Sequence, residues 1–150
     1  MSRKAFTLIE ILVVVSILAI LAIMIIPNFI GFDAEARVVT TKSNLETLRT
    51  RISLFRAKEG RYPASLGELI TTIYYDAGIQ RAYLNKLPAE LISDKNGNST
   101  YDDRPSNVAP SFLNNGGWVY FTDKAEMYVD WDIPLDKSWG EYAEQKPSEW

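Results

Sequence analysis

The chain has 150 residues, a formal net charge of −3, no His and no Cys. Lacking His and Cys, it has no Ser-His-Asp or Cys-His catalytic apparatus of its own and no disulfide or thiol chemistry. A chain of this length is one domain, with or without an appendage, and its negative balance argues against a generic nucleic-acid binder.

The N-terminal end is apolar. From Phe6 to Ile26 run 21 residues with one charge, the carboxylate of Glu10. As a helix this run reaches ~30 Å, about the thickness of a bilayer core. Arg3 and Lys4 precede it and Pro27 follows. An acid at membrane depth costs roughly 2.5–3.5 kcal/mol on insertion scales, so Glu10 reads as a functional residue that needs a positive partner. Three readings of this end compete. One is a cleaved secretory signal peptide, with the positive start and Ala34-Glu35-Ala36 as an A-x-A match. Against it, the apolar core exceeds the usual ~7–15 residues and the match lies well past its end. A second is a plain uncleaved anchor, with Arg3 and Lys4 keeping the N-terminus cytoplasmic and the body outside. Neither explains Glu10 or the abrupt apolar start at Phe6.

The third reading rests on a resemblance. Lys4-Ala5-Phe6-Thr7-Leu8-Ile9-Glu10, a long apolar run and then Pro27 resemble the leader of type IV pilins and type II secretion pseudopilins. The resemblance implies that a prepilin peptidase cuts between Ala5 and Phe6 and N-methylates Phe6. It also implies that Glu10 is the acid used in assembly. The residue before the cut is usually Gly; here it is Ala5, still a small side chain. The physics beside the resemblance is consistent. The new amine on Phe6 and Glu10 are four residues apart, so they can pair within one helix. In a filament Glu10 can instead meet the Phe6 amine of a neighbour. Apolar helices gain little from touching each other in lipid, so a charge pair is a sensible registry device.

Pro27 removes a helical hydrogen bond and Gly31 adds softness, so this point is either the membrane exit or a bend between an anchor and a head-packed half. From Asp33 to Lys58 the pattern is amphipathic. Leu45, Leu48, Ile52 and Phe55 share a helical face, with Val38 and Val39 on or near it. Lys42, Glu46, Arg49, Arg51 and Arg56 read mostly as a solvated face. A helix running from Phe6 to Lys58 is ~80 Å long. Gly60 stops it and Pro63 keeps it stopped. Ser65-Leu66-Gly67-Glu68 fits a capping box that opens a short helix with Leu66, Leu69, Ile70 and Ile73 inward. Leu54 to Pro63 and Tyr83 to Pro88 resemble stretches of major pseudopilins.

From Ile92 to Asn115 the chain reads as a polar connection. Trp118 to Thr122 and Glu126 to Trp131 read as two strands around the turn Asp123-Lys124-Ala125. Trp118, Tyr120 and Tyr128 read as core and sheet-face packing. Ile133 to Trp150 read as a surface tail that Trp139 and Trp150 can pin down. In the polar connection Asp94, Asn96, Asn98, Asp102 and Asp103 concentrate oxygen ligands of the hard kind calcium takes. The spacing departs from the EF-hand, and Asn-Gly and Asp-Asp also fit an ordinary turn. The resemblance implies calcium in a C-terminal loop. The paired acids at Asp102-Asp103 and at Asp130 and Asp132 mark no pocket, so no enzyme is expected.

The expected fold is α+β and pilin-like, a long N-terminal helix on a small antiparallel sheet. Its parts are a leader (1–5), a membrane and assembly helix (6–27), an amphipathic half (28–60) and a head (61–150). The resemblance implies a subunit that leaves the bacterial inner membrane and polymerises. Its partners would be itself, minor pilins or pseudopilins, the prepilin peptidase, lipid, a platform protein and an assembly ATPase. A type II secretion pseudopilin and a type IV surface pilin both fit. The absent Cys pair counts against disulfide-looped pilins. The absence of Asp-Pro-Trp-Gly after Leu87-Pro88 counts against major pseudopilins. A membrane-anchored binding protein that never polymerises is the remaining alternative; it predicts a dispensable Glu10.

Overall fold

The structure, a computed structural model, describes residues 6–29, 32–106 and 112–150, with side chains throughout these except 25–29. The leader with Ala5, and Gly31, lie outside the described residues. The chain divides into two compact units, Met1–Asp33 and Ala34–Trp150.

The first unit contains helix α1, Leu8–Phe29, which runs on past Pro27. Helix α2 follows at Phe32–Glu59. The joint between them, expected near Gly31, lies outside the described residues. Along α2 the residues Ala34, Val38, Thr41, Leu45, Leu48, Ile52 and Phe55 are buried, at alternating steps of four and three. That averages about 3.5 residues per turn and holds one seam against the head over the whole helix. Val39, placed on or near this face from sequence, is 52% exposed, because a helix turns each neighbour of a seam residue away from it. Gly60 ends α2 with φ +73 and donates its N–H to the Arg56 carbonyl, as the stop signal implied.

The charges on α2 are less solvated than the sequence reading had them. Lys42 sits 5.1 Å from the ring of Tyr142 and 4.5 Å from that of Trp150. Arg49 donates to the carbonyls of Met127 (3.0 Å) and Trp150 (2.6 Å). Arg56 lies 4.6 Å from the ring of Tyr62. Long aliphatic stems lie along apolar surface and place their cations over π faces, which a polarity pattern alone does not show.

Helix α3 is the single turn Glu68–Thr71. Ser65 is not its cap. Gly67 occupies that position with helical φ/ψ and no side-chain cap, and the Glu68 carboxylate accepts from the Ala64 N–H (3.1 Å) and Arg61 (2.8 Å). Leu66 and Leu69 are buried as expected, but Ile70 and Ile73 are 36% and 50% exposed. The helix ends at Thr71, so the helical spacing no longer applies to Ile73, which begins strand β1.

Strands β1 (Ile73–Asp76) and β2 (Ile79–Ala82) form an antiparallel hairpin not anticipated from sequence. Its loop, Ala77-Gly78, has positive φ at both positions, +51 and +80, the geometry of a type I′ turn. Ala pays a steric penalty there that Asn, with its local hydrogen bonding, largely escapes. Ala77→Asn is expected to stabilise the head by about 0.5–1 kcal/mol, read as a higher thermal midpoint of the detergent-solubilised chain.

Strands β3 (Tyr101–Arg104), β4 (Trp118–Phe121) and β5 (Glu126–Val129) form the second sheet. The order is β3-β4-β5, with β4 and β5 antiparallel and β3 parallel to β4. The α+β class holds, but the sheet is mixed rather than purely antiparallel. The core joins Leu45, Leu48, Ile52 and Phe55 of α2 to Leu66, Leu69, Tyr83, Trp118, Tyr120 and Met127. The buried aromatics satisfy their polar tips: Trp118 Nε1 donates to the Pro88 carbonyl and Tyr120 Oη to the Pro63 carbonyl, each at 2.8 Å. Burial pushes the Tyr120 hydroxyl up to about 12. Within the expected surface tail, residues 137–142 and 147–149 form short 3-10 turns. Leu135 joins Val38 and Ile92 in a second apolar cluster flanked by Trp131, Trp139, Tyr142 and Trp150.

Candidate functional site

Helix α1 is apolar on every face, and every described side chain from Phe6 to Met24 is exposed. Such a helix is covered only by lipid or by other chains. Among the described residues no helix is long and apolar enough to cross a membrane, the described side chains of α1 ending at Met24. Glu10 is the acid of its first turn, at the positive end of the helix dipole. Its N–H is held by the Thr7 carbonyl (3.1 Å) and by Thr7 Oγ1 (3.3 Å). Thr7 is therefore the helix cap, a role the sequence reading missed although Thr-x-x-Glu is a capping-box spacing. Phe6 is 75% exposed and, with Thr7, Leu8, Ile11, Leu12 and Val15, lines an open apolar furrow. The arrangement presents one carboxylate and an exposed apolar surface to whatever surrounds it.

The calcium candidates do not come together. Asp94 Oδ1 accepts from the Asn96 N–H at 2.9 Å. Asn98 Oδ1 accepts from the Thr100 N–H (3.0 Å) and Oγ1 (2.7 Å). Asp102 and Asp103 are consecutive in β3, so their side chains leave opposite faces. Asp102 pairs with Arg104 at 3.5 Å, while Asp103 Oδ1 accepts from the Leu66 N–H at 3.0 Å. Burial raises the Asp103 carboxyl above its ordinary range. Among the described residues no three of His, Cys, Asp and Glu gather so as to hold a metal ion.

The tail is fastened by acid–base contacts. Asp132 accepts from Ser148 Oγ at 2.6 Å and from Lys146 Nζ at 3.4 Å. The Ser148 hydroxyl foremost, and then Lys146, hold the Asp132 carboxyl below its usual range. A depressed folded-state value stabilises docking above the unfolded value of ~4, and that stabilisation is lost as pH falls through the folded value. Acidification is therefore expected to loosen residues 146–150, read as Trp150 fluorescence against a Trp150→Phe reference. Asp132→Asn is expected to abolish that acid transition.

Residues 1–26 match a family model described as "Prokaryotic N-terminal methylation motif". The type IV major pilin protein PilA of Myxococcus xanthus is 41% identical over 67 residues, covering 45% of this chain and 30% of that protein. The type II secretion system core protein G of Klebsiella michiganensis is 31% identical over 99 residues, covering 59% of this chain and 68% of that protein. The chain belongs to the type IV pilin and type II secretion pseudopilin family. Another pseudopilin relative, core protein G of Escherichia coli, is 28% identical over 95 residues, covering 59% of this chain and 66% of that protein. The chain thus spans less than a third of the Myxococcus pilin and about two thirds of these core G proteins. No solved structure matches. The matched pilin-type segment contains Ala5, Phe6, Thr7 and Glu10 and stops just short of Pro27.

Proposed function

We propose that this chain is a structural subunit of a pilin-like helical filament, a type II secretion pseudopilin that supports protein secretion. The observation that carries the reading is α1: apolar all round, exposed at every described side chain from Phe6 to Met24, and carrying one acid in its first turn within a methylation-type motif. Before assembly the apolar run sits in the inner membrane as a single pass, with the head outside the cytoplasm. A prepilin peptidase removes residues 1–5 and methylates Phe6. The platform protein and its ATPase then drive subunits, with minor pseudopilins, into the filament. The work is mechanical, and no residue is assigned a catalytic role.

The likeness to the Myxococcus xanthus type IV pilin supports a second reading, a surface pilus serving adhesion, motility or DNA uptake. The first test is intact mass and N-terminal sequencing of the protein from a membrane fraction containing a prepilin peptidase. A chain starting at N-methylated Phe6 supports the filament reading. A chain still starting at Met1 overturns it in favour of a plain anchor. Sheared surface filaments containing the chain would then favour the pilus over the secretion pseudopilus.

A further inference from the structure

We propose that the head's 90–98 loop is organised by the Glu90 carboxylate in place of a calcium ion, so that the head folds without calcium. Glu90 is fully buried, 0% exposed. A carboxylate at such depth is tolerated only when donors surround it. Here they do. Oε1 accepts from the N–H groups of Ile92 and Ser93, the latter at 2.7 Å. Oε2 accepts from Ser93 Oγ at 2.5 Å and from the Gly117 N–H at 3.1 Å. The backbone closes around them, Glu90 N–H to the Asn98 carbonyl at 2.8 Å and Asn98 N–H to the Glu90 carbonyl at 2.7 Å.

The polarity of this arrangement is the reverse of a calcium site. Calcium gathers six to eight oxygen acceptors about a central positive charge. This loop gathers N–H and O–H donors about a central negative group, and a cation there would face the positive ends of those dipoles. The oxygens that could have served a cation point elsewhere: Asp94 and Asn98 close local turns, Asp102 pairs with Arg104, and Asp103 holds Leu66. The interior is also closed by direct contact. Gly116 and Gly117 have φ +74 and +76, and a Cβ on either would collide with Ser93 or Thr100. The backbone of 116–117 therefore lies directly on the loop, where an intervening ion and its water would have to fit. Glu90 joins two chain segments, 90–98 and 116–117, as a shared metal ion would, but from within the sequence.

The test uses the full chain in detergent micelles, melted in saturating calcium chloride and in EGTA, alongside Glu90→Gln. The parent is expected to show one midpoint in both solutions and no heat of calcium binding by titration calorimetry. Glu90→Gln, which turns an amide NH₂ toward N–H donors, is expected to melt several degrees lower in both. A higher midpoint of the parent in calcium, or measurable calcium binding, would overturn the proposal. So would a Glu90→Gln chain that melts with the parent. If Glu90→Gln does not fold, the parent's response to calcium still decides. None of these outcomes depends on whether the chain forms filaments, so the filament reading stands or falls separately.

Discussion

Glu10→Leu is expected to insert and be processed normally and to yield no filaments, a loss of at least about ten-fold in sheared or sedimented polymer. Replacing the acid removes the roughly 2.5–3.5 kcal/mol that a carboxylate costs at membrane depth, so the variant should enter lipid at least as well as the parent. The cut proposed after Ala5 precedes the substituted position and leaves Phe6 in place. What disappears is the one group in the apolar run that can distinguish one alignment of neighbouring helices from another. Packing among aliphatic helices in lipid is nearly degenerate in register, whereas a buried charge pair is not. Glu10→Gln separates the ingredients: it keeps a hydrogen-bonding side chain and loses the charge. If charge is what counts, Gln behaves like Leu. Normal filaments from Glu10→Leu would remove the assembly role of Glu10, whereas a parent chain that forms no filaments would favour the non-polymerising binding protein. Thr7 adds a check on geometry, because it caps the turn on which Glu10 stands.

Arg104→Met is expected to cost the head about 3–5 kcal/mol, the usual penalty for stranding one member of a buried pair. The side chains of Arg104 and Asp130 are 9% and 3% exposed, with Nη2 and Oδ1 3.3 Å apart. Without the guanidinium, the Leu113 N–H, 2.8 Å from the same oxygen, is the partner that the Asp130 side chain keeps among the described residues. Against a typical domain stability of 5–15 kcal/mol, that loss brings the head close to unfolding at physiological temperature. The double variant Arg104→Met, Asp130→Leu should recover most of the loss, since an apolar pair of similar volume replaces a desolvated charge pair. A residue of ~1 kcal/mol should remain for the unpartnered Leu113 N–H. Thermal melts of the three chains decide. A single variant as stable as the parent would show that solvent reaches Asp130 freely.

The long elements were legible because their signals are local and repeated. The seam of α2 announced itself through Leu45, Leu48, Ile52 and Phe55, and Gly60 marked its end. The β4–β5 hairpin followed from aromatic and β-branched residues around a polar turn. What stayed hidden depends on contacts distant in sequence. Tyr101-Asp102-Asp103-Arg104 has no alternating apolar face, yet it becomes a strand because its backbone pairs with Trp118–Phe121. The β1–β2 loop is Ala-Gly instead of the expected Asn-Gly, and Leu66, Leu69, Ile70 and Ile73 imitate a longer helix. In the candidate site, Phe6 and Glu10 stood out as oddities at the start of an apolar run. Thr7 was overshadowed by Glu10, although its spacing was readable. Glu90, inside Pro88-Ala89-Glu90-Leu91, looks like any surface acid until Gly117 is brought to it.

The clamp between α2 and the far end of the chain sets an order of events in time. Arg49 holds the carbonyl of Trp150, 101 positions later in the chain. At about 5–20 residues synthesised per second, the helix side of this contact waits on the order of 5–20 s for its counterpart. During that interval Leu66, Leu69 and Tyr83, and then Trp118, Tyr120 and Met127, emerge and can cover the α2 seam before Trp150 reaches Arg49. The Arg49–Trp150 contact therefore closes only after the core that it borders can already have formed.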